Sequence, residues 1–385
     1  MYYELGFWIC LGLILYIYVG YPVCVFLLSA ISGDRPKSSP LEPTVTVVIS
    51  AYNEEAVIEA TVMNKLDQDY PLDRLKVLVV SDGSTDRTDE IVKTLVNYHA
   101  DRLMFLRQEP RQGKTQALNM ALQHLSSDVV VFADANSIYA SNSIRVLVSN
   151  FSDSSVGYVT GQMVYGNPTA TGIGAGSGSY MSYENTLRMW ESKLGSIVGV
   201  DGGIDAIRRQ YYRPMRPDQL PDFILPLNVV EQGSRVMYEP RAKVFETALS
   251  DPFQEFRMRV RVSLRAMWGL YDKRHLLNPF RFRLFAWQLM SHKVLRYGAF
   301  FPLAGLLLFN ILSVSQSAFY VLSLAVQVAV YAVAMAGHFL RQSSWTETKL
   351  LSPYYFVILN AACILAFWKF LTGQKMILWK PRLGG

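Results

Sequence analysis

The sequence predicts an α/β domain with a largely parallel sheet, flanked by membrane-spanning helices. In the middle of the chain, four short apolar segments alternate with helix-like segments, and long uncharged apolar segments lie on both sides. Alternating strands and helices are typical of α/β folds with a parallel sheet. Hydrophobic residues make up 51% of the 385 residues, at the upper end for a globular protein, and the membrane segments account for the excess.

The first apolar segment predicts a transmembrane helix within an N-terminal region, residues 1–35. Residues 5–31 contain no Lys, Arg, Asp or Glu, and they exceed the roughly 20 residues that cross a bilayer. A signal peptide is the alternative, but Glu4 rather than a basic segment precedes the stretch. The stretch is also longer than the apolar part of a signal peptide, so we expect an uncleaved helix.

A C-terminal region, residues 298–385, is predicted to hold further transmembrane helices and a tail. Two spans are expected over 300–314 and 319–340, and a third over 354–371. The loop 341–349 and the tail are both basic, which places both in the cytoplasm, yet one full span cannot separate two cytoplasmic segments. Three alternatives stay open: one segment departs from the rule, part of 354–371 is re-entrant, or a span is missing from the count.

The net charge of +6 arises largely from basic residues beside the predicted spans. Such residues mark the cytoplasmic side of a membrane and attract anionic lipids. We therefore expect a multi-pass protein of the cell (inner) membrane with its central domain in the cytoplasm, in contact with membrane lipids. Nucleic-acid binding is disfavoured because the charge clusters at membrane edges. The residues concerned are Arg35, Lys37, Arg257, Arg259, Arg261, Arg265, Arg281, Arg283, Lys293 and Arg296.

Four buried strands are predicted in the central domain, over 45–50, 75–80, 103–106 and 129–133. Helix-like segments follow the first, second and third strands. Thr85 is a suitable N-cap for the second of these helices, and acidic residues follow it. Ligands of such sheets bind at the carboxyl ends of the strands. The stretch 171–179, rich in Gly, Ser and Ala, is predicted to be a flexible linker or a gating loop.

Oxygen ligands follow the fourth strand, in Asp134-Ala135-Asn136. Mg²⁺ and Mn²⁺ prefer such ligands, keep several waters and bridge to phosphates of a substrate. The tripeptide therefore suggests a nucleotide-diphosphate site, although Asp and Asn are also common turn residues.

Three further side chains at strand ends suit the same ligand. Asp82 can accept a hydrogen bond from a ribose hydroxyl or a base N–H, Lys114 can offset phosphate charge near a helix start, and Tyr52 offers a ring for base stacking. Each has an ordinary alternative, as a turn residue, a surface lysine or a core aromatic. Their joint occurrence along one α/β unit favours the binding site.

Four motifs follow one another along the chain: Ser50-Ala51-Tyr52-Asn53-Glu54, Val80-Ser81-Asp82-Gly83-Ser84-Thr85-Asp86, Gly113-Lys114 and Asp134-Ala135-Asn136. In this order they resemble the motifs of the membrane-embedded family 2 glycosyltransferases, a group with the GT-A fold that includes cellulose, hyaluronan, chitin and poly-N-acetylglucosamine synthases. The resemblance places a GT-A domain over residues 40–250 and interfacial amphipathic helices over 251–297.

The resemblance implies roles for the residues in these motifs. The first motif, with Ala51, Tyr52 and Glu54, would contact the base, and Asp82, Gly83 and Ser84 the nucleoside. Lys114 would lie near the diphosphate, and Asp134 and Asn136 would bind Mg²⁺ or Mn²⁺. Asn136 departs from the family pattern, which has a second carboxylate there, so we expect weaker charge neutralisation at an intact metal site.

The resemblance also implies residues on the acceptor side. Asp222 matches the family's catalytic base, although Pro221 replaces the acid that usually precedes it; an N-cap role is the alternative for Asp222, and Asp218 is a second candidate base. Gly202 and Gly203 match a glycine-rich segment that lies against the acceptor, where the absence of a Cβ admits a sugar ring.

A last motif resembles the Gln-x-x-Arg-Trp of processive members. Arg261, Arg265 and Trp268 provide the residue types at a different spacing. Alternation of apolar and polar residues over 256–265 is typical of a strand, whereas a helix would place the arginines on one face; we follow the family and predict a helix. Residues 280–296 are predicted to form an amphipathic helix on the membrane surface.

The leading functional hypothesis is an inverting transfer of a sugar from a nucleotide-diphosphate sugar, with a UDP-sugar as the expected donor, to a polysaccharide or a lipid-linked glycan. The product is either a long polymer or one added sugar. The alternative is a non-catalytic nucleotide-sugar sensor or scaffold subunit, favoured by the missing acid before Asp222. A transporter is disfavoured because the spans contain few ionisable residues.

Overall fold

The computed structural model of the chain describes residues 2–32, 38–165, 171–246, 252–340 and 352–378. These residues form two compact units. The first, called the sheet unit, comprises the described residues of Ser32–Gly166, Arg188–Glu246 and Met376–Gly385. The second, called the helical unit, comprises those of Met1–Ile31, Asn167–Leu187 and Thr247–Lys375. The predicted basic positions Arg35 and Lys37, the loop 341–349 and the tail from 379 onward lie outside the described residues.

One eight-stranded sheet forms the centre of the sheet unit. Its spatial order is β3-β2-β1-β4-β7-β6-β8-β5. The strands are β1 (Val45–Ala51), β2 (Leu75–Ser81), β3 (Leu103–Arg107), β4 (Val129–Asp134), β5 (Ile138–Tyr139), β6 (Val156–Tyr165), β7 (Ile204–Arg208) and β8 (Arg235–Glu246). The four strands predicted from the sequence are β1 to β4, so these predictions are confirmed.

The first four strands form the parallel half of the sheet. β1 lies between β2 and β4, and its register pairs Ala51 with Ser81 and Ser50 with Asp134. Val47 and Ile49 pack into the core on one face, and Val48 packs into the core on the other. Burial on both faces explains why these strands are continuous apolar runs. Their carboxyl ends meet at one edge, as the sequence predicts.

The other half of the sheet is mixed, so the prediction of a largely parallel sheet describes only the half formed by β1 to β4. β7 is antiparallel to both β4 and β6, whereas β6 and β8 are parallel. The antiparallel register pairs Ala133 with Ile204. The start of β7, and the glycines that precede it, therefore lie beside the end of β4.

Helices pack on both faces of this sheet. They are α3 (Ile58–Leu66), α4 (Thr88–Tyr98), α5 (Lys114–Gln123), α6 (Ser143–Ser149) and α8 (Pro221–Glu231). Helix α7 (Thr171–Leu194) has residues in both units.

The expectation of a flexible loop over 171–179 is wrong, since these residues form the first turns of α7. Glycine disfavours a helix by about 1 kcal/mol per residue, but helix formation is cooperative. No proline interrupts α7, and its later turns pack well, with Leu187 buried.

Besides the part of α7 up to Leu187, the described residues of the helical unit form six longer helical stretches. The first runs through α1 (Tyr2–Leu15), a π-helical turn and α2 (Tyr21–Ile31). The others are α9 (Pro252–Asp272), α10 (Pro279–Leu289) with α11 (Leu295–Tyr297), α12 (Phe300–Ser313), α13 (Ala318–Leu340) and α14 (Ser352–Leu371). The helical interpretation of residues 256–265 is confirmed by α9, and the strand alternative is wrong.

Among the described residues, three helices are long and apolar enough to cross a membrane: Tyr2–Ile31, Ala318–Gly337 and Pro353–Leu371. The predicted span over 300–314 is not one of them. Helix α12 has 14 residues, about 21 Å at 1.5 Å per residue, against about 30 Å of hydrocarbon.

Helix α12 instead follows Pro279–Tyr297 across a bend of 58°, as a broken span or a re-entrant loop. The preceding segment is not the regular amphipathic helix predicted over 280–296, because Arg283 has non-helical backbone angles, with φ of 46°.

Candidate active site

The loops after β1 and β2 are bound to each other by hydrogen bonds. The backbone N–H of Asp82 donates to the carbonyl of Ala51 at 2.8 Å, so buried Ala51 supports the second loop through its backbone. Asn53 adopts a left-handed conformation with φ of 54°, and its Oδ1 accepts from the N–H of Thr85 at 2.8 Å. The N–H of Glu54 donates to Thr88 Oγ1 at 2.8 Å. The loops that contain the first two motifs are therefore held together at one edge of the sheet.

Asp82 is fully buried, and in this structure it organises the loop that follows β3. Its Oδ1 accepts from Gln108 Nε2 at 2.5 Å and from the N–H groups of Gln112 and Gly113 at 2.9 and 3.0 Å. Its Oδ2 accepts from Arg111 Nε at 3.3 Å. A carboxylate offers about four acceptor positions. A contact of Asp82 with a nucleoside would thus replace one of these bonds.

Arg111 stacks on Tyr52, with its guanidinium carbon 3.3 Å from the ring centroid. This cation–π contact occupies a face of the ring that the sequence assigns to base stacking. Gly83 adopts φ of +66°, and a Cβ there would lie 3.4 Å from the Arg111 Cβ. Ser84, the third residue of the motif, is buried and bound to Ser81. The loop residue Arg111 thus lies among the predicted nucleoside contacts.

Lys114 connects two parts of the site that are distant in sequence. It begins α5 directly after Gly113, whose φ of +92° favours glycine. Its Nζ lies 2.7 Å from Asp134 Oδ1 and 3.5 Å from Asp222 Oδ1. Burial lowers the pKa of Lys114, but the two carboxylates raise it by more, and the net pKa lies above its ordinary value. Lys114 is therefore a fixed cation between two acids.

The loop Asp134-Ala135-Asn136 suits a divalent cation. The Asp134 side chain is 33% exposed, and the half-buried Asn136 side chain makes no hydrogen bond to any described residue. Both offer oxygen ligands of the type that Mg²⁺ and Mn²⁺ take. Within the described residues no group of three His, Cys, Asp or Glu side chains is placed to hold a metal. An ion at this loop would therefore depend on oxygens of a ligand as well.

Two residues of α3 fix this loop from beneath. Thr61 Oγ1 donates to the carbonyl of Ala135 at 2.7 Å, and Lys65 Nζ donates to the carbonyl of Ser137 at 2.5 Å. Lys65 is fully buried, and burial lowers its pKa to about 7 despite the neighbouring carboxylates of Glu246 and Asp134. These contacts hold the backbone of the loop, and with it Asp134 and Asn136, at the edge of the sheet.

Asp222 lies in the first turn of α8, after Pro221, and Leu220 rather than Asp222 is the N-cap residue. The N-cap alternative is therefore wrong. The Asp222 side chain is 27% exposed. Gly202 has φ of +80°, and a Cβ there would come within 2.9 Å of Asp222 Oδ2. A side chain at position 202 would displace this carboxylate.

Asp205 of β7 adds a buried carboxyl group behind these residues. It is 1% exposed, and its Oδ1 has no hydrogen-bond partner among the described residues. Burial raises the pKa of Asp205 to about 8, and the charge of Asp222 adds to the effect. Asp205 is therefore largely protonated at neutral pH.

The segment before β7 is anchored on both sides. Arg188 and Asp201 form a buried bidentate ion pair, with side chains 5% and 7% exposed. Tyr139 Oη donates to the carbonyl of Gly203 at 2.8 Å. A Cβ at Gly203, where φ is +79°, would lie 2.9 Å from Glu246 Oε1. The positive φ angles favour glycine at both positions, and a side chain at either would push a neighbouring carboxylate aside.

The remaining candidates lie elsewhere. Asp218 is buried and pairs with Arg216 at 3.2 Å, which leaves Asp222 as the carboxylate beside Lys114. Arg261, Arg265 and Trp268 belong to α9 of the helical unit. There Arg265 is buried, and Trp268 Nε1 donates to the carbonyl of Gln374 at 2.9 Å.

Sequence reasoning missed several residues of the site. Arg111 follows β3 and lies two residues before the motif Gly113-Lys114. Its closeness to that motif is the signal that could have identified it. Lys65, Arg188 and Asp205 had no such signal, because each depends on partners that are distant in sequence.

Comparison with known proteins finds a family model that matches part of the chain. The model of the family described as "Glycosyl transferase family 2" matches residues 46–215. A beta-monoglucosyldiacylglycerol synthase of Nostoc sp. is 29% identical over 170 residues, which cover 44% of this chain and 36% of that protein. An N-acetylglucosaminyltransferase of Rhizobium meliloti is 28% identical over 242 residues, covering 59% and 56%. The chain thus spans between about a third and just over half of the length of these relatives.

Among solved structures, the mannosyltransferase PcManGT from Pyrobaculum calidifontis has a similar fold. The TM-score is 0.72 at 21% identity, and the match covers 96% of this chain and 99% of that one. The strand-end motifs and the family model agree over residues 46–215, which match a family 2 glycosyltransferase domain, and the chain has the GT-A fold.

Proposed function

We propose that the protein transfers a sugar, with inversion, from a nucleotide-diphosphate sugar to an acceptor hydroxyl at the cytoplasmic face of the cell membrane. The observation that supports this most strongly is the position of Lys114, whose ammonium lies between Asp134 and Asp222. A cation of this kind suits a diphosphate, and a half-exposed carboxylate beside it suits an acceptor hydroxyl.

The strand-end loops would bind the donor. Tyr52, Glu54 and the Asp82-Gly83-Ser84 turn are proposed to contact the nucleoside, together with Arg111. Arg111 and Lys114 supply positive charge close to the place of the diphosphate. When bound at Asp134 and Asn136, Mg²⁺ or Mn²⁺ would supply further charge stabilisation to the departing diphosphate.

Asp222 would act as the general base. It takes the proton of the acceptor hydroxyl, and the acceptor oxygen forms a bond to the anomeric carbon of the donor sugar. The bond between that carbon and the diphosphate oxygen breaks, and the nucleoside diphosphate leaves with the electron pair. Gly202 and Gly203 leave room for the acceptor beside Asp222.

The identity of donor and acceptor is proposed from the relatives. A UDP-sugar is the expected donor, and the similar PcManGT structure contains GDP-Man and Mn²⁺, so both nucleotides belong in the test. One relative is named a beta-monoglucosyldiacylglycerol synthase and another an N-acetylglucosaminyltransferase. These names support a lipid-linked glycan or a polysaccharide as the proposed acceptor. Arg261, Arg265 and Trp268 on α9 are proposed contacts of the substrate in the helical unit.

The base assignment predicts that Asp222→Asn lowers transfer at least about a hundredfold, the usual contribution of a general base. Membranes containing the full chain are incubated with radiolabelled UDP- and GDP-sugars and Mn²⁺, and glycolipid and polymer products are separated by size. Asp218→Asn is the matched control and keeps activity. Full activity of Asp222→Asn would exclude this mechanism, and donor binding without turnover by the wild type would favour a sensor.

The metal assignment predicts different outcomes for the two ligands. Asp134→Ala abolishes transfer because it removes the only charged ligand of the loop, whereas Asn136→Asp keeps transfer because a carboxylate also binds the cation. The same assay is run with and without EDTA, which is expected to stop the wild-type reaction. Inactive Asn136→Asp, or transfer that persists in EDTA, would contradict the assignment.

The raised pKa of Asp205 predicts a pH-dependent stability difference. The pKa of Asp205 is about 3.9 in the unfolded state and about 8 in the folded state. The contribution of Asp205 to the free energy of unfolding is therefore largest below about pH 3.9. It declines as the pH rises through this window. The melting temperature of Asp205→Asn relative to wild type in detergent should therefore increase from pH 5 to pH 8. A constant difference would show that Asp205 is charged throughout.

A further inference from the structure

Arg111 makes the two contacts that the nucleoside of a donor would also make. Its guanidinium carbon lies 3.3 Å from the centroid of the Tyr52 ring, and its Nε donates to Asp82 Oδ2 at 3.3 Å. Tyr52 is the residue proposed for base stacking, and Asp82 is the proposed acceptor of a hydrogen bond from the nucleoside. A planar group that stacks on the ring and donates to the carboxylate has the same contact pattern as a base.

The Arg111 side chain can leave these contacts while the loop that carries it stays in place. The backbone N–H groups of Gln112 and Gly113 donate to Asp82 Oδ1 at 2.9 and 3.0 Å, which holds the loop. The side chain of Arg111 is 22% exposed, whereas that of Asp82 is fully buried. Rotation of the Arg111 side chain therefore uncovers Tyr52 and leaves the backbone hydrogen bonds intact.

Asp82 retains hydrogen-bond donors when Arg111 leaves. Its Oδ1 also accepts from Gln108 Nε2, and its Oδ2 accepts from the N–H of Gly113 at 3.1 Å. An N–H of a base at Oδ2 would take the place of Arg111 Nε. A buried charged group that loses a hydrogen bond without replacement is costly, and this exchange avoids that cost.

We propose that Arg111 competes with the base of the donor for Tyr52 and Asp82, and that this competition selects nucleoside diphosphates. The competition rests on the proposed function, because it requires a nucleotide-diphosphate sugar as the donor. When the nucleoside diphosphate binds, the base replaces the guanidinium on the ring. Arg111 then lies beside the nucleoside, and its planar N–H donors bind the diphosphate oxygens.

The competition lowers the affinity for a nucleoside that has no phosphate. A ligand that binds only when Arg111 is displaced loses affinity in proportion to the rarity of that conformer. A nucleoside displaces Arg111 without offering it a new partner, whereas a nucleoside diphosphate supplies phosphate oxygens for the guanidinium. Arg111 is therefore a specificity-determining residue, because it makes stable binding of the base depend on the phosphates.

The test measures binding of radiolabelled uridine, guanosine, UDP and GDP to the purified full chain by equilibrium dialysis in detergent with Mn²⁺. Arg111→Ala should bind the preferred nucleoside about fivefold more tightly than the wild type, since the competing cation–π contact is lost. The ratio of the affinity for the nucleoside diphosphate to that for the nucleoside should fall about tenfold, because a charge-assisted contact with phosphate is lost. A variant that misfolds would bind the nucleoside less tightly, so a gain in affinity reports the loss of competition.

Two further variants examine the competition from the side of the cation and of the ring. Arg111→Lys retains a cation near Asp82 but loses the planar group that stacks on Tyr52, so its nucleoside affinity should also exceed that of the wild type. Tyr52→Leu should lower nucleoside affinity less in the wild type than in Arg111→Ala. In the wild type the substitution also removes the ring on which the competitor stacks, and comparison of the four proteins isolates this coupling.

Arg87→Ala is the matched control, since the Arg87 side chain is 72% exposed and pairs with the exposed Glu90 at 3.5 Å. Its affinities should equal those of the wild type, and a rise in nucleoside affinity like that of Arg111→Ala would overturn the proposal.

The proposal is also overturned if neither Arg111→Ala nor Arg111→Lys binds the nucleoside more tightly than the wild type. An unchanged affinity ratio in Arg111→Ala would reject the contact with the diphosphate. If the wild type binds neither UDP nor GDP, the proposed donor site fails and the competition fails with it. Binding of UDP or GDP together with unchanged nucleoside affinities of the variants rejects the competition alone.

Discussion

The candidate active site depends on one interaction, the contact of the Lys114 ammonium with carboxylates from two distant parts of the chain. Asp134 ends β4 and Asp222 lies in the first turn of α8, so the lysine connects the proposed donor side of the sheet edge with the proposed acceptor side. In the absence of a substrate the ammonium offsets the charge of both acids. A diphosphate entering the site offers the ammonium a new partner, which would release Asp134 for a metal cation.

Buried groups hold this arrangement in place. The ion pair of Arg188 and Asp201 anchors the segment that contains Gly202, and Gly202 in turn leaves room for Asp222. Burial keeps Asp205 largely protonated near neutral pH, so Asp205 adds little negative charge beside Asp222. On the proposed donor side, Asp82 organises the loop that carries Arg111 and Lys114. The same residues that stabilise the loops thus determine where charge lies at the candidate site.

The sequence predicted the parallel half of the sheet and the residues at its edge, because continuous apolar strands and polar strand ends are local signals. It missed the antiparallel β7, because the sequence of a five-residue strand does not show which strands it pairs with. It missed the helix over 171–179 because a glycine-rich segment has no local signal for a helix. It also assigned Asp82 and Tyr52 to the nucleoside alone, whereas they contact Arg111. Arg188 and Asp205 could not be predicted, since their roles arise from partners brought close by folding.

The most direct test of the account is Mn²⁺ binding, measured by electron paramagnetic resonance on the purified full chain with and without UDP or GDP. The wild type should bind Mn²⁺ weakly alone and more tightly with a nucleoside diphosphate. In Lys114→Met, Asp134 has lost its ammonium partner, so Mn²⁺ should bind more tightly than in the wild type without nucleotide, and the nucleotide should add less. Equal Mn²⁺ affinities of the two proteins without nucleotide would contradict the central role of Lys114.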